Sequence, residues 1–292
     1  MKKYFKLFRI KNYIKNILIF LPLIFSKNLL DFSNLSKALF GAFSFCALSS
    51  AVYIFNDLCD CERDRNHPGK CNRPIASGEV SRKSAIVIMF ILLVVCTITN
   101  YFTCGADFVP WVLLLVYLLQ NVLYSLKLKH IPIVDIMILV MGFLLRIYYG
   151  SEIIGVSVSN WLYLTVLAIS FYLGLGKRRN EIIVSGEKDS RSVLCLYSYD
   201  FLDKNMYVCS GLAIVFYSLW CIDASTIASF GSNKMIWTIP LVILICITYS
   251  HSAEKCEVDD PVDIICKNKS LLSLVVIYGI SVICIIYFFG AR

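Results

Sequence analysis

Asn56, Asp57, Asp60 and Asp64 spell the pattern N-D-x-x-D-x-x-x-D directly after a long apolar run. If the helix of that run continues at about 100° per residue, the three aspartates fall within about 60° of one face. Three carboxylates on one stripe repel one another unless a cation lies between them. Mg²⁺ takes a few carboxylates and completes its shell with water and phosphate oxygens. The spacing therefore suits a diphosphate held through Mg²⁺, with Asp57, Asp60 and Asp64 as metal ligands and catalytic groups. Asn56 can donate to a phosphate oxygen or accept from a metal-bound water. Glu62 points away from the stripe and, with Arg63 and Arg65, reads as solvated charge. Downstream, Lys70 and Arg73 can screen a phosphate held over the aspartates, and Pro74 and Gly78 close a tight loop. Cys59, Cys61, His67 and Cys71 offer a Cys3His zinc set. Their C-x-C spacing is tighter than zinc sites use, and the cysteines alternate with the carboxylates.

These groups need a membrane to position them. Of 292 residues 58% are hydrophobic and only 16% charged, against about 25% charged in a soluble domain. Apolar runs bounded by charges lie at 14–27, 36–56, 83–103, 107–126, 131–150, 159–176, 207–222, 235–250 and 271–289. A spanning helix needs roughly 20 residues; the first run is short and broken by Pro22. With the N-terminus inside, 23 of the 28 Lys and Arg fall on the inner side and 4 on the outer, with Arg146 inside the fifth run. The positive-inside rule predicts that split. The expectation is an all-α membrane protein of nine transmembrane helices, N-in and C-out, in the inner (cytoplasmic) membrane. It is expected to be one polytopic domain over residues 1–292. Cytoplasmic segments 57–82, 127–131, 177–206 and 251–270 carry nearly all the polar chemistry. No small-x-small cleavage site follows the first run, so it reads as an uncleaved span. Thirteen scattered cysteines read as packing residues in a reducing compartment rather than disulfides. A net charge of +8 suits an anionic leaflet and calls for no nucleic acid. A homo-oligomer is compatible with the sequence, which does not fix the number of subunits.

The Asp-rich pattern after the second run, followed by NRPIASGEVS, resembles the UbiA superfamily of intramembrane prenyltransferases. That resemblance implies nine transmembrane helices with the active site at the cytoplasmic side. Aromatic-acceptor members carry a second Asp-rich motif after the sixth span. Here that position reads GLGKRRNEIIVSGEKDS, with Lys177, Arg178 and Arg179 in place of carboxylates and Glu181 as the nearby acid. The departure favours a second anion held directly by guanidinium and ammonium groups. A D-x-x-x-D at Asp259 to Asp263 follows the eighth run and contains Pro261, a poor helical match. RIKNYIKNILIFLPLIFS, YSLKLKHIPIVDIMILVMGFLLRIYYG and GKRRNE resemble the decaprenyl-phosphate phosphoribosyltransferase branch.

That branch implies transfer of 5-phosphoribosyl from phosphoribosyl pyrophosphate to a polyprenyl phosphate, with diphosphate released and Mg²⁺ as cofactor. The lipid phosphate is already an anion, so the attack needs no Ser, Cys or general base. His67, His130 and His251 form no evident relay, which agrees. By motif match Tyr124, Lys127 and Lys129 form a phosphate-binding element, and Lys15 and Asn16 line the site from the first span. Asp135 and Arg146, 11 residues apart, lie about 20° apart around a helix and about 16 Å along it. Asp135 could orient a ribose hydroxyl or a cation. Arg146 is deep enough to need a carboxylate or carbonyl partner, so structural and substrate-binding roles stay equally open. Two alternatives remain. A prenyltransferase moving a polyprenyl group from its diphosphate to an aromatic acceptor would use the same aspartates. A transporter or lipid flippase would place polar groups near the bilayer midplane, whereas here the acids gather at one rim.

Overall fold

The computed structural model describes residues 2–66, 69–185, 193–255 and 260–289. His67, Asp259 and Arg292 lie outside them. All regular structure among the described residues is helical. The helices are α1 (Lys2–Phe8), α2 (Leu21–Phe25), α3 (Phe32–Cys59), α4 (Cys61–Arg65), α5 (Arg82–Cys104) and α6 (Phe108–Leu126). They continue with α7 (Val134–Ile154), α8 (Asn160–Ser185), α9 (Tyr199–Ile222), α10 (Ala224–Phe230), α11 (Ile239–Lys255), α12 (Pro261–Lys267) and α13 (Lys269–Phe288). Among the described residues, seven helical segments are long and apolar enough to cross a bilayer: α3, α5, α6, α7, α9, Lys234–Glu254 and α13. A protein whose helices expose this much apolar surface is an integral membrane protein.

The first apolar run departs from a regular spanning helix. Ile10–Phe20 is a 3-10 segment, followed by the five residues of α2. Pro22 has no amide to give the Leu18 carbonyl; Leu21 donates to it instead, one residue early. The sixth run differs the other way. α8 continues through Lys177, Arg178, Arg179 and Glu181 as far as Ser185, so the first residues expected in a loop are helix. The seventh span likewise begins at Tyr199 rather than 207.

Contacts group the chain into two compact units. The first comprises residues up to Leu23, Asn28–Ile138 and Leu145–Ser157. Its core gathers Phe45, Leu48, Val52, Leu114, Tyr117, Leu145 and Tyr149 with Ile19 and Leu23 of the opening segment. Ser44 on α3 donates to the Cys96 carbonyl of α5 at 2.8 Å. The second comprises Ile24–Lys27, Leu139–Leu144 and the chain from Val158, with a core of Tyr217, Trp220, Phe230, Met235 and Val282.

Within the first unit, α7 meets the opening segment backbone to backbone. A Cβ on Gly150 would lie 2.2 Å from the Ile19 carbonyl oxygen, a contact that no side chain can yield to. Gly150→Ala is therefore expected to destabilise the protein by about 1–3 kcal/mol, the usual cost of overpacking. Thermal unfolding in detergent or nanodiscs reads this directly.

Candidate active site

α3 ends at Cys59, and Asp60 caps it with φ −93° and ψ 2°. The helix is interrupted there, but hydrogen bonding keeps helical spacing: Asp60 N–H donates to the Asn56 carbonyl and Asp64 N–H to that of Asp60. The three aspartates take different sets of cationic partners. Asp57 and Asp64, both buried, converge on Arg73, whose Nη1 lies 3.1 Å from Asp57 Oδ1 and 2.6 Å from Asp64 Oδ2. Arg9 also pairs with Asp57. Asp60 turns to another partner, with Lys129 Nζ 2.6 Å from its Oδ1. Each of the three carboxylates thus has a cation from elsewhere in the chain, which keeps like charges together in a poorly solvated place.

Local packing sets this arrangement. Ile75 and Val80 of the loop after α4 are buried against Leu7, Ile54, Cys61 and Ala85. Arg65 Nε donates to the Ala76 carbonyl at 3.2 Å, and Val80 N–H to the Pro74 carbonyl at 2.9 Å. Gly78 takes φ 81° at the turn, a conformation open to glycine at little cost. The pinned loop returns Arg73 to the aspartates. Arg9 follows α1 in a left-handed conformation, φ 51°, with its guanidinium 4.9 Å from the Tyr53 ring centroid. Asn56 is held by Ser125, whose hydroxyl donates to its Oδ1 at 3.1 Å.

Other expected site residues of this unit fall into different surroundings. Lys129 is buried while Lys127 is exposed, and Tyr124, Lys15 and Lys70 are half-buried. Asp135 is fully buried at the start of α7. Asn16 is committed to structure: its Oδ1 accepts from Arg146 Nε at 2.7 Å and its Nδ2 donates to Ser49 at 3.3 Å. Among the described residues no group of three or more His, Cys, Asp or Glu is arranged to hold a metal. Of the Cys3His set, His67 lies outside the described residues. Cys59 is exposed and Cys61 buried.

In the second unit, Lys177, Arg178 and Arg179 each find an acid. Lys177 Nζ lies 4.0 Å from Asp260, and Arg178 Nη1 2.5 Å from Glu181. Arg179 Nη1 lies 2.5 Å from Asp203, with the Tyr199 ring 5.7 Å away. Burial opposes the Arg179 charge, but the Asp203 hydrogen bond and charge outweigh it, and its pKa is raised further above the ordinary arginine value. Arg178 and Arg179 are almost wholly buried. Arg179 Nε and Nη2 have no hydrogen-bond partner among the described residues.

Sequence reasoning missed three participants, Arg9, Asp203 and Asp260, and gave a fourth, Lys129, a phosphate-binding role rather than its pairing with Asp60. Arg9 was one of six cations in a basic opening stretch, and Lys129 stood beside Lys127 without greater weight. Asp203 and Asp260 lie far along the chain from the cations they meet. Asp260 was visible beside the discounted D-x-x-x-D, where it caps α12 through the Val262 amide.

Long apolar helices with charged clusters at their ends define an integral membrane protein, helical in all its described regular structure. The chain belongs to the UbiA prenyltransferase family, whose profile matches residues 19–253. Decaprenyl-phosphate phosphoribosyltransferase of Mycolicibacterium smegmatis is 27% identical over 296 residues, covering 97% of this chain and 92% of that protein. Uncharacterized protein y4nM of Sinorhizobium fredii is 32% identical over 189 residues, 62% of this chain. That match spans only 35% of the Sinorhizobium protein's length. Among solved structures, a UbiA homolog from Archaeoglobus fulgidus bound to GPP and Mg²⁺ has a TM-score of 0.72 at 18% identity. It covers 96% of this chain and 99% of its own. The fold is UbiA-type.

Proposed function

We propose that this enzyme transfers 5-phosphoribosyl from phosphoribosyl pyrophosphate to a polyprenyl phosphate. A lipid phosphate oxygen bonds to the anomeric carbon of the ribose as the bond from that carbon to diphosphate breaks. The observation that carries this reading is the charge of the second cluster. Lys177, Arg178 and Arg179 stand where an aromatic-acceptor prenyltransferase resembling this chain would carry carboxylates. The name of the mycobacterial relative, matched over nearly its whole length, points the same way. Arg179 retains two buried donors that an additional phosphate could use.

The donor chemistry at Asp57 and Asp64 fits a divalent cation. Mg²⁺ is commonly held by one or two carboxylates plus water and substrate phosphates, and these two aspartates already converge on one cationic atom. Such an ion would supply charge stabilisation for the departing diphosphate. The chain's own groups do the rest. Asn56, fixed by Ser125, offers its amide to a phosphate oxygen; Arg73 and Lys70 screen the diphosphate. Lys127 and Tyr124 serve the phosphate-binding stretch, with Lys129 holding Asp60 in place. Lys15 and Asp135 complete the polar lining. The 23-to-4 distribution of cations supports nine spans, N-in and C-out, once runs 14–27 and 159–176 are counted. The proposed site then faces the cytoplasm from the inner membrane.

Membranes containing the protein are expected to form an acid-labile phosphoribosyl lipid from labelled phosphoribosyl pyrophosphate and polyprenyl phosphate. Formation is expected to require Mg²⁺ and to cease with EDTA. If label instead passes from a polyprenyl diphosphate to an aromatic acceptor, the protein is a prenyltransferase in the narrower sense of its family description.

A further inference from the structure

Arg73 bridges the two carboxylates that a shared cation would use. Its Nη1 lies between Asp57 Oδ1 and Asp64 Oδ2 at 3.1 and 2.6 Å. A divalent cation held by these two oxygens would compete with that nitrogen for them. Both carboxylates are buried, and neither is stable as an isolated anion. A cation arriving alone must therefore evict a guanidinium that it also repels. A cation arriving with a diphosphate brings the anion that the evicted guanidinium can take, since arginine binds phosphate oxygens with paired donors. Arg9 is placed for the same exchange at Asp57, backed by the Tyr53 ring.

We propose that Arg73, assisted by Arg9, is an internal competitor for the divalent cation that couples metal entry to diphosphate binding. The two guanidiniums hold the carboxylate pair and pass to the diphosphate when the metal takes it. Arg9 thereby gains a positioning role in the site. The coupling is reciprocal: what the metal gains from diphosphate, diphosphate gains from the metal. The inference rests on Asp57 and Asp64 being the cation-binding pair, and it holds whichever acceptor the enzyme uses.

The test is a titration of the full-length protein in nanodiscs with Mn²⁺ alone, followed by electron paramagnetic resonance. Arg73→Gln is expected to bind Mn²⁺ about tenfold more tightly than wild type, in line with losing a charged hydrogen-bond competitor. Arg9→Gln is expected to gain less, because Arg9 meets only Asp57. Arg82→Gln, which loses an exposed pair with Glu62, is expected to match wild type. At saturating Mn²⁺, calorimetry should show pyrophosphate binding weakened about tenfold in Arg73→Gln. Arg73→Lys keeps the charge and protects against a folding artefact; it is expected to fall between the two. Mn²⁺ affinity in Arg73→Gln and Arg73→Lys equal to or weaker than wild type overturns the proposal. The double variant Asp57→Asn/Asp64→Asn separates the two levels. If it abolishes Mn²⁺ binding while Arg73→Gln gains nothing, only the coupling fails. If Mn²⁺ binding survives it, the carboxylate-pair assignment fails too.

Discussion

Asp57→Asn and Asp64→Asn are each expected to lower the proposed phosphoribosyl transfer by about 10²–10³-fold or more, the scale of losing a preorganised charge-stabilising group. Asp60→Asn is expected to behave differently, although the sequence spacing groups all three. Asp57 and Asp64 share the Arg73 nitrogen, so either loss leaves one carboxylate where the proposed cation needs two. Asp60 instead holds the buried Lys129. Removing it leaves an ammonium without its carboxylate, and the penalty comes from stranding a buried charge. The signature is rescue: Asp60→Asn/Lys129→Met is expected to recover activity relative to Asp60→Asn alone, whereas no partner deletion should rescue Asp57→Asn. Glu62→Gln, on an exposed side chain paired with exposed Arg82, should stay within about twofold of wild type. The labelled-lipid assay, run as initial rates on protein-normalised membranes, compares all five. Equal losses at Asp57, Asp60, Asp64 and Glu62, without rescue, would remove the distinction drawn between a carboxylate pair and a separately paired aspartate.

The difference between Asp60 and its neighbours shows what sequence could carry. Apolar runs were legible because a helix in lipid must be apolar along its length, so α3, α5, α6, α7 and α13 follow the composition closely. The Asp57 region was legible as a chemical site because carboxylates beside a membrane are costly and need a purpose. The interruption at Asp60 was not, since no glycine or proline marks it and the helical hydrogen-bond spacing continues through it. α8 was cut short for a related reason. Charge after residue 176 looked like the end of a span, yet Asp203 and Asp260 neutralise Arg179 and Lys177, and the helix continues. Long-range pairing of opposite charges leaves no local pattern in a single sequence. Arg9 illustrates the limit: its partner is 48 residues away, and nothing near it in the chain separates it from the other cations.

Arg146→Met is expected to act on stability rather than on substrate binding. Arg146 is buried on α7, with Nε 2.7 Å from Asn16 Oδ1 and Nη2 3.1 Å from the Tyr117 hydroxyl. Its guanidinium lies over two adjacent aromatic rings, 4.9 Å from the Phe45 centroid and 5.0 Å from that of Tyr117. The side chain thus ties the opening 3-10 segment to α3, α6 and α7. Hydrogen bonds to a charged group contribute about 1.5–3 kcal/mol each, and a desolvated cation over an aromatic face can add about 2. Loss of these two bonds alone comes to about 3–6 kcal/mol, or a fall of roughly 10 °C in Tm for a protein of this size. Lysine carries one nitrogen and no planar fork, so Arg146→Lys should restore little of it. Asn16→Leu/Arg146→Met should recover part, because the stranded amide is then removed with its partner. Well below the unfolding temperature, KM for phosphoribosyl pyrophosphate should stay within about twofold of wild type, as a brace remote from the substrate requires. A tenfold rise in KM with an unchanged Tm would make Arg146 a substrate-binding residue instead, and Asn16 with it.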